Sequence, residues 1–167
     1  MGVDEHRRRG PKSVGFAVIT VSDTRTAEND ETGHLLRDML ERAGHHQDVY
    51  LVVRDRLEEV QGAVREALQS PGVNLVLLNG GTGISKRDIT VEALEPLIDK
   101  PLPGFGELFR TISFRDIGPA AMLSRALAGT SRDKLIIALP GSSAAARLAT
   151  EKLILPELGH LIWEVSR

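Results

Sequence analysis

The stretch from residue 78 to residue 88, LNGGTGISKRD, combines glycines with charged side chains directly after an apolar run. Gly80, Gly81 and Gly83 can adopt positive φ and present backbone N–H groups with no Cβ in the way. Such a concavity suits phosphate oxygens, above all when the N-terminus of a helix lies beside it. The loop therefore predicts an anion-binding turn, although a tight strand-to-helix turn without a ligand would need the same glycines.

Two familiar phosphate-binding motifs do not fit this loop. A Walker A loop has a glycine directly before its lysine, whereas Ser85 precedes Lys86 here. The dinucleotide pattern G-x-G-x-x-G, started at Gly81, would need a glycine at position 86. A phosphate bound at this loop is therefore held by a different arrangement.

Three aspartates each follow an apolar run and have a basic neighbour: Asp23, Asp55 and Asp88. A carboxylate repels a phosphate unless a cation lies between them, so carboxylates beside an anion-binding loop imply Mg²⁺. In nucleotidyl transfer such an ion offsets charge on the leaving pyrophosphate. A single aspartate in a turn is more commonly a capping or salt-bridged residue. The equivalent placement of all three favours a metal-dependent site.

Four short apolar runs are the elements that would position these residues. They are nearly continuous rather than alternating, which is typical of strands buried on both faces of a parallel sheet. Amphipathic helical patterns lie between them, so the chain predicts an α/β sandwich with right-handed crossovers. The predicted strands are 16–21, 48–53, 73–79 and 134–140.

The segment after each predicted strand is polar or rich in glycine. In an open parallel sheet these segments emerge at one edge, where ligands bind. Ser22 and Asp23 follow the first strand, and Gly141 and Ser142 follow the fourth. Ser142 has no evident His and Asp partners, so a hydrolytic triad is not supported. A long excursion over 89–132 carries three patterns interpreted as helical, around VEALEPLI, GELFRTIS and AAMLSRALA.

The composition is typical of one globular domain, expected over residues 14–167. The net charge is −2, which does not favour nucleic acid or an anionic membrane as a partner. The chain has no cysteine, which excludes disulfides and a cysteine nucleophile and suits a cytoplasmic location. Residues 1–13 contain the basic cluster HRRRGPK with no long apolar stretch behind it and are expected to form a disordered tail.

Several segments, in order along the chain, match a known family: ITVSDTRT, GGTGISKRDITVEALEPL, PGFGELFR, AAMLSRALAG, LPGSSAA and ILPELGHL. With them the chain resembles the MogA/MoaB family of molybdenum-cofactor biosynthesis over residues 14–162, and the central block is closer to the MoaB branch. The resemblance implies a three-layer αβα sandwich with a mostly parallel, Rossmann-like sheet. It also implies a homo-oligomer, either a trimer or a hexamer of two trimers.

The reaction that the resemblance implies is adenylylation of molybdopterin. The terminal phosphate of the pterin attacks the α-phosphate of ATP with Mg²⁺ present, pyrophosphate leaves, and the product passes to a downstream metal-insertion protein. By motif position, Asp55 and Asp88 are expected to be catalytic and to hold the metal. The positions expected to bind phosphate and substrate are Ser22, Asp23, Gly80, Gly81, Thr82, Gly83, Glu107, Ser124, Gly141 and Ser142, and Arg125 also lies in a family motif.

Asn79 is a departure from the family pattern, since many relatives have threonine before the first glycine. Asparagine still donates and accepts hydrogen bonds, so the departure concerns fine geometry. An alternative within the same resemblance is a MoaB-type protein that binds molybdopterin without adenylylating it. A receiver-type phosphoacceptor would need a phosphorylatable aspartate ending the third strand, where Asn79 stands. A gephyrin-type scaffold would need a second module to bridge.

Overall fold

The computed structural model describes residues 2–167, and one sheet organises them. Its six strands stand in the order β2-β1-β3-β6-β5-β4. The first four strands in this order pair in parallel, whereas β5 is antiparallel to both β6 and β4. The mostly parallel sheet is confirmed, with an antiparallel edge added. The strands are β1 (Gly15–Val21), β2 (His46–Val53), β3 (Leu75–Asn79), β4 (Lys100–Pro101), β5 (Leu127–Ser131) and β6 (Lys134–Leu139).

Helices cover both faces of this sheet, which confirms the three-layer αβα class. One core lies beneath α2, α5, α6 and α7, and the other beneath α3 and α4. The helices are α1 (Val3–Arg9), α2 (Glu31–Arg42), α3 (Leu57–Gln69), α4 (Thr90–Leu94), α5 (Pro103–Ile117), α6 (Ser143–Ala149) and α7 (Leu155–Ser166), with 3₁₀ turns at Glu95–Leu97 and Gly118–Leu123 and a π turn at Thr150–Ile154.

Burial of strand β1 on both faces explains why its apolar run is nearly continuous. Phe16 and Val18 belong to the core on one face, whereas Ala17 and Ile19 belong to the core on the other. Successive side chains of a strand point to opposite faces, so a strand covered on both sides is apolar at nearly every position. All seven residues of β1 are buried accordingly.

The segment AAMLSRALA does not form the predicted helix. Its first part belongs to the 3₁₀ turn Gly118–Leu123, and its end belongs to β5. Strand β5 pairs with β6 through a tight turn in which Arg132 has a φ of 57°. Pairing satisfies backbone groups that β6 would otherwise leave open at the sheet edge. This tertiary requirement outweighs the helical propensity of the alanines and leucines.

The N-terminal segment also differs from the expectation of a disordered tail over 1–13. Position 1 lies outside the described residues, but Val3–Arg9 form α1. The Arg7 guanidinium pairs with Glu157 of α7, and the Arg9 guanidinium lies 6.0 Å from the centre of the Trp163 ring. In the described part of the chain, no helix combines the length and apolarity needed to cross a bilayer.

Candidate functional site at the carboxyl edge of the sheet

The loops that follow β1, β2, β3 and β6 meet at one edge of the sheet. Ser22, after β1, donates its backbone N–H to the carbonyl of Val53 at 2.8 Å. Gly80, after β3, donates its backbone N–H to the carbonyl of Leu139 at 3.0 Å. A Cβ added to Gly141 would lie 3.4 Å from the Cα of Gly80. The four strand ends and the loops that follow them therefore lie side by side at one edge, where parallel pairing places them.

The glycine loop needs its glycines for steric reasons. Gly80 has a φ of 97° and Gly81 a φ of 71°, a region that other residues rarely adopt. A Cβ on Gly80 would overlap the carbonyl oxygen of Val21, and one on Gly81 would overlap the Thr90 hydroxyl. That hydroxyl donates to the carbonyl of Gly80 at 2.8 Å, so the start of α4 holds the loop. Close packing accounts for these two glycines.

Asp55 and Asp88 lie against this same loop. An oxygen of Asp55 is 3.2 Å from the place a Cβ of Gly81 would take, and an oxygen of Asp88 is 2.7 Å from the corresponding place at Gly83. Asp88 also accepts a hydrogen bond from the backbone N–H of Ser85 at 2.8 Å, which shapes the turn. The two carboxylates, 33 positions apart in sequence, therefore flank one loop.

Asp23 completes a concentration of negative charge. Its carboxylate accepts a hydrogen bond from the backbone N–H of Asp55 at 3.2 Å. Partial burial raises the pKa of the Asp55 carboxyl, and the charges of Asp23 and Asp88 raise that pKa further. Arg87 opposes the effect only weakly. A cation at this position would relieve the repulsion.

The donor set fits one particular mode of magnesium binding. Among the side chains that the structure describes, no group of three or more acidic or histidine residues is arranged to hold a metal ion. Mg²⁺ in nucleotide sites commonly takes one or two carboxylates and completes its shell with water and substrate phosphates. Asp55 and Asp88 offer two such carboxylates, both half-buried and beside a bare loop. They suit an ion that arrives with a phosphate ligand.

A cavity of about 290 Å³ opens beside the glycine loop. Its apolar wall comes from α5 and the following 3₁₀ turn, and includes Phe109, Ile117 and Leu123. Seven of the expected site residues also line the cavity, namely Gly81, Thr82, Gly83, Asp88, Ser124, Gly141 and Ser142. The cavity thus combines apolar side chains with polar groups and glycine backbone.

Five expected site residues do not line this cavity, namely Ser22, Asp23, Asp55, Gly80 and Glu107. Glu107 borders a separate groove of about 410 Å³ with Arg110. Positions two apart on a helix point about 200° from each other, so α5 cannot direct both Phe109 and Glu107 into one cavity. Ser22 borders a small neighbouring cavity of about 80 Å³. Its hydroxyl accepts hydrogen bonds from the backbone N–H groups of Thr24 and Arg25, at 3.2 and 3.1 Å, and so orders its own loop.

Ser142 caps α6 at the edge of the cavity. Its hydroxyl accepts a hydrogen bond from the backbone N–H of Ala145 at 3.2 Å. The Thr32 hydroxyl donates to the carbonyl of Gly141 at 2.8 Å, which fixes the loop after β6 against α2. The expected positions Gly141 and Ser142 are therefore held from both sides.

Sequence reasoning missed the buried carboxylate of Asp30. It is 1% exposed and accepts hydrogen bonds from the hydroxyls of Thr20 and Tyr50, both at 2.6 Å. The amide of Asn79 donates to the same Thr20 hydroxyl at 2.9 Å. Burial, followed by the bond to Asp30, raises the pKa of Tyr50. The network ties β1, β2 and β3 together and reaches Asn79, the residue directly before the glycine loop. The one signal in the sequence was an aspartate directly before an amphipathic helix.

Comparison with known proteins gives the family. Residues 17–160 match the family model described as a probable molybdopterin binding domain. The chain is 52% identical to molybdenum cofactor biosynthesis protein B of Bacillus cereus, over 100% of this chain and 99% of that protein.

Solved structures agree with the sequence comparison. A crystal structure of a molybdenum cofactor biosynthesis protein B has a TM-score of 0.90 at 52% identity, covering 93% of this chain and 97% of that one. The tungsten cofactor synthesizing protein MoaB from Pyrococcus furiosus has a TM-score of 0.85 at 37% identity, covering 94% and 99%. The chain therefore belongs to the MoaB/MogA family of molybdenum-cofactor biosynthesis proteins, on its MoaB side.

Proposed function

We propose that this protein adenylylates molybdopterin with ATP. A phosphate oxygen of the pterin attacks the α-phosphorus of ATP, the bond from that phosphorus to the bridging oxygen breaks, and pyrophosphate leaves with the bond electrons. The observation that carries the proposal is the convergence of Asp55 and Asp88 on one bare glycine loop beside a half-apolar cavity.

The residues of the loop supply binding and orientation. A glycine loop can present backbone N–H groups to phosphate oxygens, and Lys86 and Arg87 stand exposed on the same turn. The attacking phosphate is already anionic, so the step needs no general base. Asp55 and Asp88 would hold Mg²⁺, which when bound offsets the charge that develops on the pyrophosphate.

The cavity supports an organic substrate that carries a phosphate. Its volume is close to the lower end of the range of about 300–1,000 Å³ that small-molecule pockets occupy. Ile117 and Leu123 provide exposed apolar surface for a flat ring system, and the glycine loop lines the same cavity. The ring of molybdopterin would lie against these apolar side chains, and its phosphate against the glycine loop.

We infer further that the protein forms a homo-oligomer, a trimer or a hexamer, through α5 and the following 3₁₀ turn. Phe114, Ile117, Met122 and Leu123 lie there and are each about half exposed or more, at 57%, 59%, 72% and 49%. Contiguous exposed apolar side chains of this size mark interaction surfaces. Ile117 and Leu123 also line the cavity, so a partner copy would border the site. Light scattering after gel filtration would give the mass, and a monomer would contradict the inference.

The proposed activity is tested by pyrophosphate release. The purified protein is incubated with molybdopterin, Mg²⁺ and ATP labelled at the α-phosphate. Label should appear on the pterin in one-to-one ratio with released pyrophosphate, and only when molybdopterin is present. If the protein binds molybdopterin stoichiometrically but releases no pyrophosphate, it is a binding protein and the proposal is wrong.

A further inference from the structure

Arg125 connects the two sides of the cavity. Its backbone N–H donates to the carbonyl of Thr82 at 2.8 Å. Its guanidinium donates from Nε to the carbonyl of Gly83 at 2.8 Å and from Nη2 to the carbonyl of Asp88 at 3.2 Å. Both terminal nitrogens also reach the carboxylate of Glu92 in α4. One side chain thus contacts both ends of the turn that carries Asp88.

These bonds matter because Arg125 directly follows a residue that lines the cavity. Ser124, directly before it, lines the cavity on the side of α5 and the 3₁₀ turn. The turn from Gly83 to Asp88 is closed internally, because the N–H of Asp88 donates to the carbonyl of Ser85 at 3.0 Å. These internal bonds shape the turn but do not set its distance from the part of the cavity lined by α5 and the 3₁₀ turn. The bonds of Arg125 set that distance.

An exposed ion pair would not account for this arrangement. The side chains of Arg125 and Glu92 are 32% and 47% exposed, so their charge pairing alone contributes little. The bonds to Gly83 and Asp88 are partly buried and use the planar, fixed spacing of the guanidinium donors. Lysine has a single ammonium group and cannot satisfy two separate carbonyls and a carboxylate with that geometry.

We propose that Arg125 is a positioning residue that holds Asp88 and the glycine loop at a set distance from the cavity wall that begins at Ser124. Nucleotide binding and turnover then depend on the guanidinium itself rather than on its charge. The nucleotide-binding and turnover parts of this inference rest on the proposed adenylyltransferase function. The effect on the loop, read by amide exchange, does not.

The test compares Arg125→Lys and Glu92→Gln with the control Arg147→Lys. Arg147 has a comparable exposed partner, Glu151, at 3.4 Å, and does not line the cavity. Three quantities are measured: hydrogen exchange of the Ser85 and Asp88 amides, affinity for Mg²⁺ with a non-hydrolysable ATP analogue by calorimetry, and kcat and KM for molybdopterin.

Arg125→Lys should speed exchange of the two amides and weaken nucleotide binding by about 10-fold or more, the loss typical of a hydrogen bond with a charged donor. It should lower kcat by about 10–100-fold while KM for molybdopterin changes by less than about 3-fold, because a misplaced reacting group costs rate rather than ground-state binding. Glu92→Gln keeps one acceptor for the guanidinium. Its changes in amide exchange, nucleotide affinity and kcat should each be about a third of those of Arg125→Lys, or smaller. Arg147→Lys should match the wild type.

Unchanged amide exchange and nucleotide affinity in Arg125→Lys would overturn the proposal, as would equal losses in Arg147→Lys. If Arg125→Lys does not fold, Glu92→Gln decides alone: faster exchange at Ser85 and Asp88 supports the positioning role, and wild-type exchange contradicts it. A wild-type protein that releases no pyrophosphate would refute the proposed function, while amide exchange would still decide the role of Arg125.

Discussion

The backbone N–H of Asp55 donates to the carboxylate of Asp23 across 3.2 Å, so the loop after β2 is tied to the loop after β1. This bond orients the Asp55 backbone and brings two negative charges close together. The pKa of Asp55 is raised by burial and by the charges of Asp23 and Asp88, because both effects disfavour the charged form of the carboxyl. Its location beside the glycine loop leads to the first two predictions.

Replacing either flanking carboxylate should separate turnover from binding. Asp55→Asn or Asp88→Asn keeps side-chain size but removes the charge that would hold Mg²⁺. Pyrophosphate release should fall by about 10²-fold or more, and molybdopterin affinity should stay within about 3-fold. Asp38→Asn, an exposed aspartate paired with Arg37 at 3.2 Å, is the control. Equal loss of binding and turnover would contradict this division of roles.

The raised pKa of Asp55 predicts how stability changes with pH. A carboxyl whose folded pKa lies above its unfolded value contributes stability that is present below the unfolded pKa and is lost as pH rises through the folded pKa. Without Mg²⁺, Asp55→Asn should therefore raise the melting temperature at pH 7 relative to the wild type, with a smaller gain near pH 4. Thermal unfolding at the two pH values measures this. A lower melting temperature at pH 7 would show that the carboxylate stabilises the metal-free fold.

Two glycine substitutions should have opposite effects on stability. Gly80→Ala forces an L side chain into a φ of 97° and against the carbonyl of Val21. It should lower the free energy of unfolding by about 1–3 kcal/mol from backbone strain alone. Gly62 lies inside α3 with nothing within 4 Å of an added Cβ. Gly62→Ala should therefore raise the free energy of unfolding by about 0.5–1 kcal/mol. Urea unfolding of both variants measures the difference. A neutral Gly80→Ala would mean that the loop can relax.

The buried carboxylate of Asp30 should matter more than any one of its donors. Asp30→Asn places an N–H₂ group among hydroxyl donors and should lower the free energy of unfolding by about 2–4 kcal/mol. Tyr50→Phe removes a single donor at 2.6 Å and should cost about 1 kcal/mol. The comparison is made by urea unfolding. If Asp30→Asn costs no more than Tyr50→Phe, the network is not a shared anchor for β1, β2 and β3.

Strand β1 and the loop after β3 illustrate what could be predicted from sequence. The run FAVITV is apolar at nearly every position because both faces of β1 are covered, and that pattern predicts a buried parallel strand. In a parallel sheet the carboxyl ends of strands share one edge, so the meeting of Asp23, Asp55 and Asp88 followed from their positions after strands.

Strand β5 illustrates the limit of that reasoning. Its sequence LAGTS follows an alanine-rich segment whose local preference is helical, and only the open edge of β6 makes a strand more favourable. Glu107 and Phe109 are two positions apart, and the rotation of α5 sends them to different cavities. A motif that contains both residues does not reveal this separation.

The sequence by itself determined the family, the alternation of strands and helices, and the gathering of aspartates and glycines at one edge, because periodicity and motif order are local properties. The tertiary structure alone decided which of those residues share a cavity, that Asp30 lies buried, and that Arg125 holds the loop from the other side. These contacts join segments 10 to 42 positions apart. Their free energy arises only when the packed sheet brings the segments together.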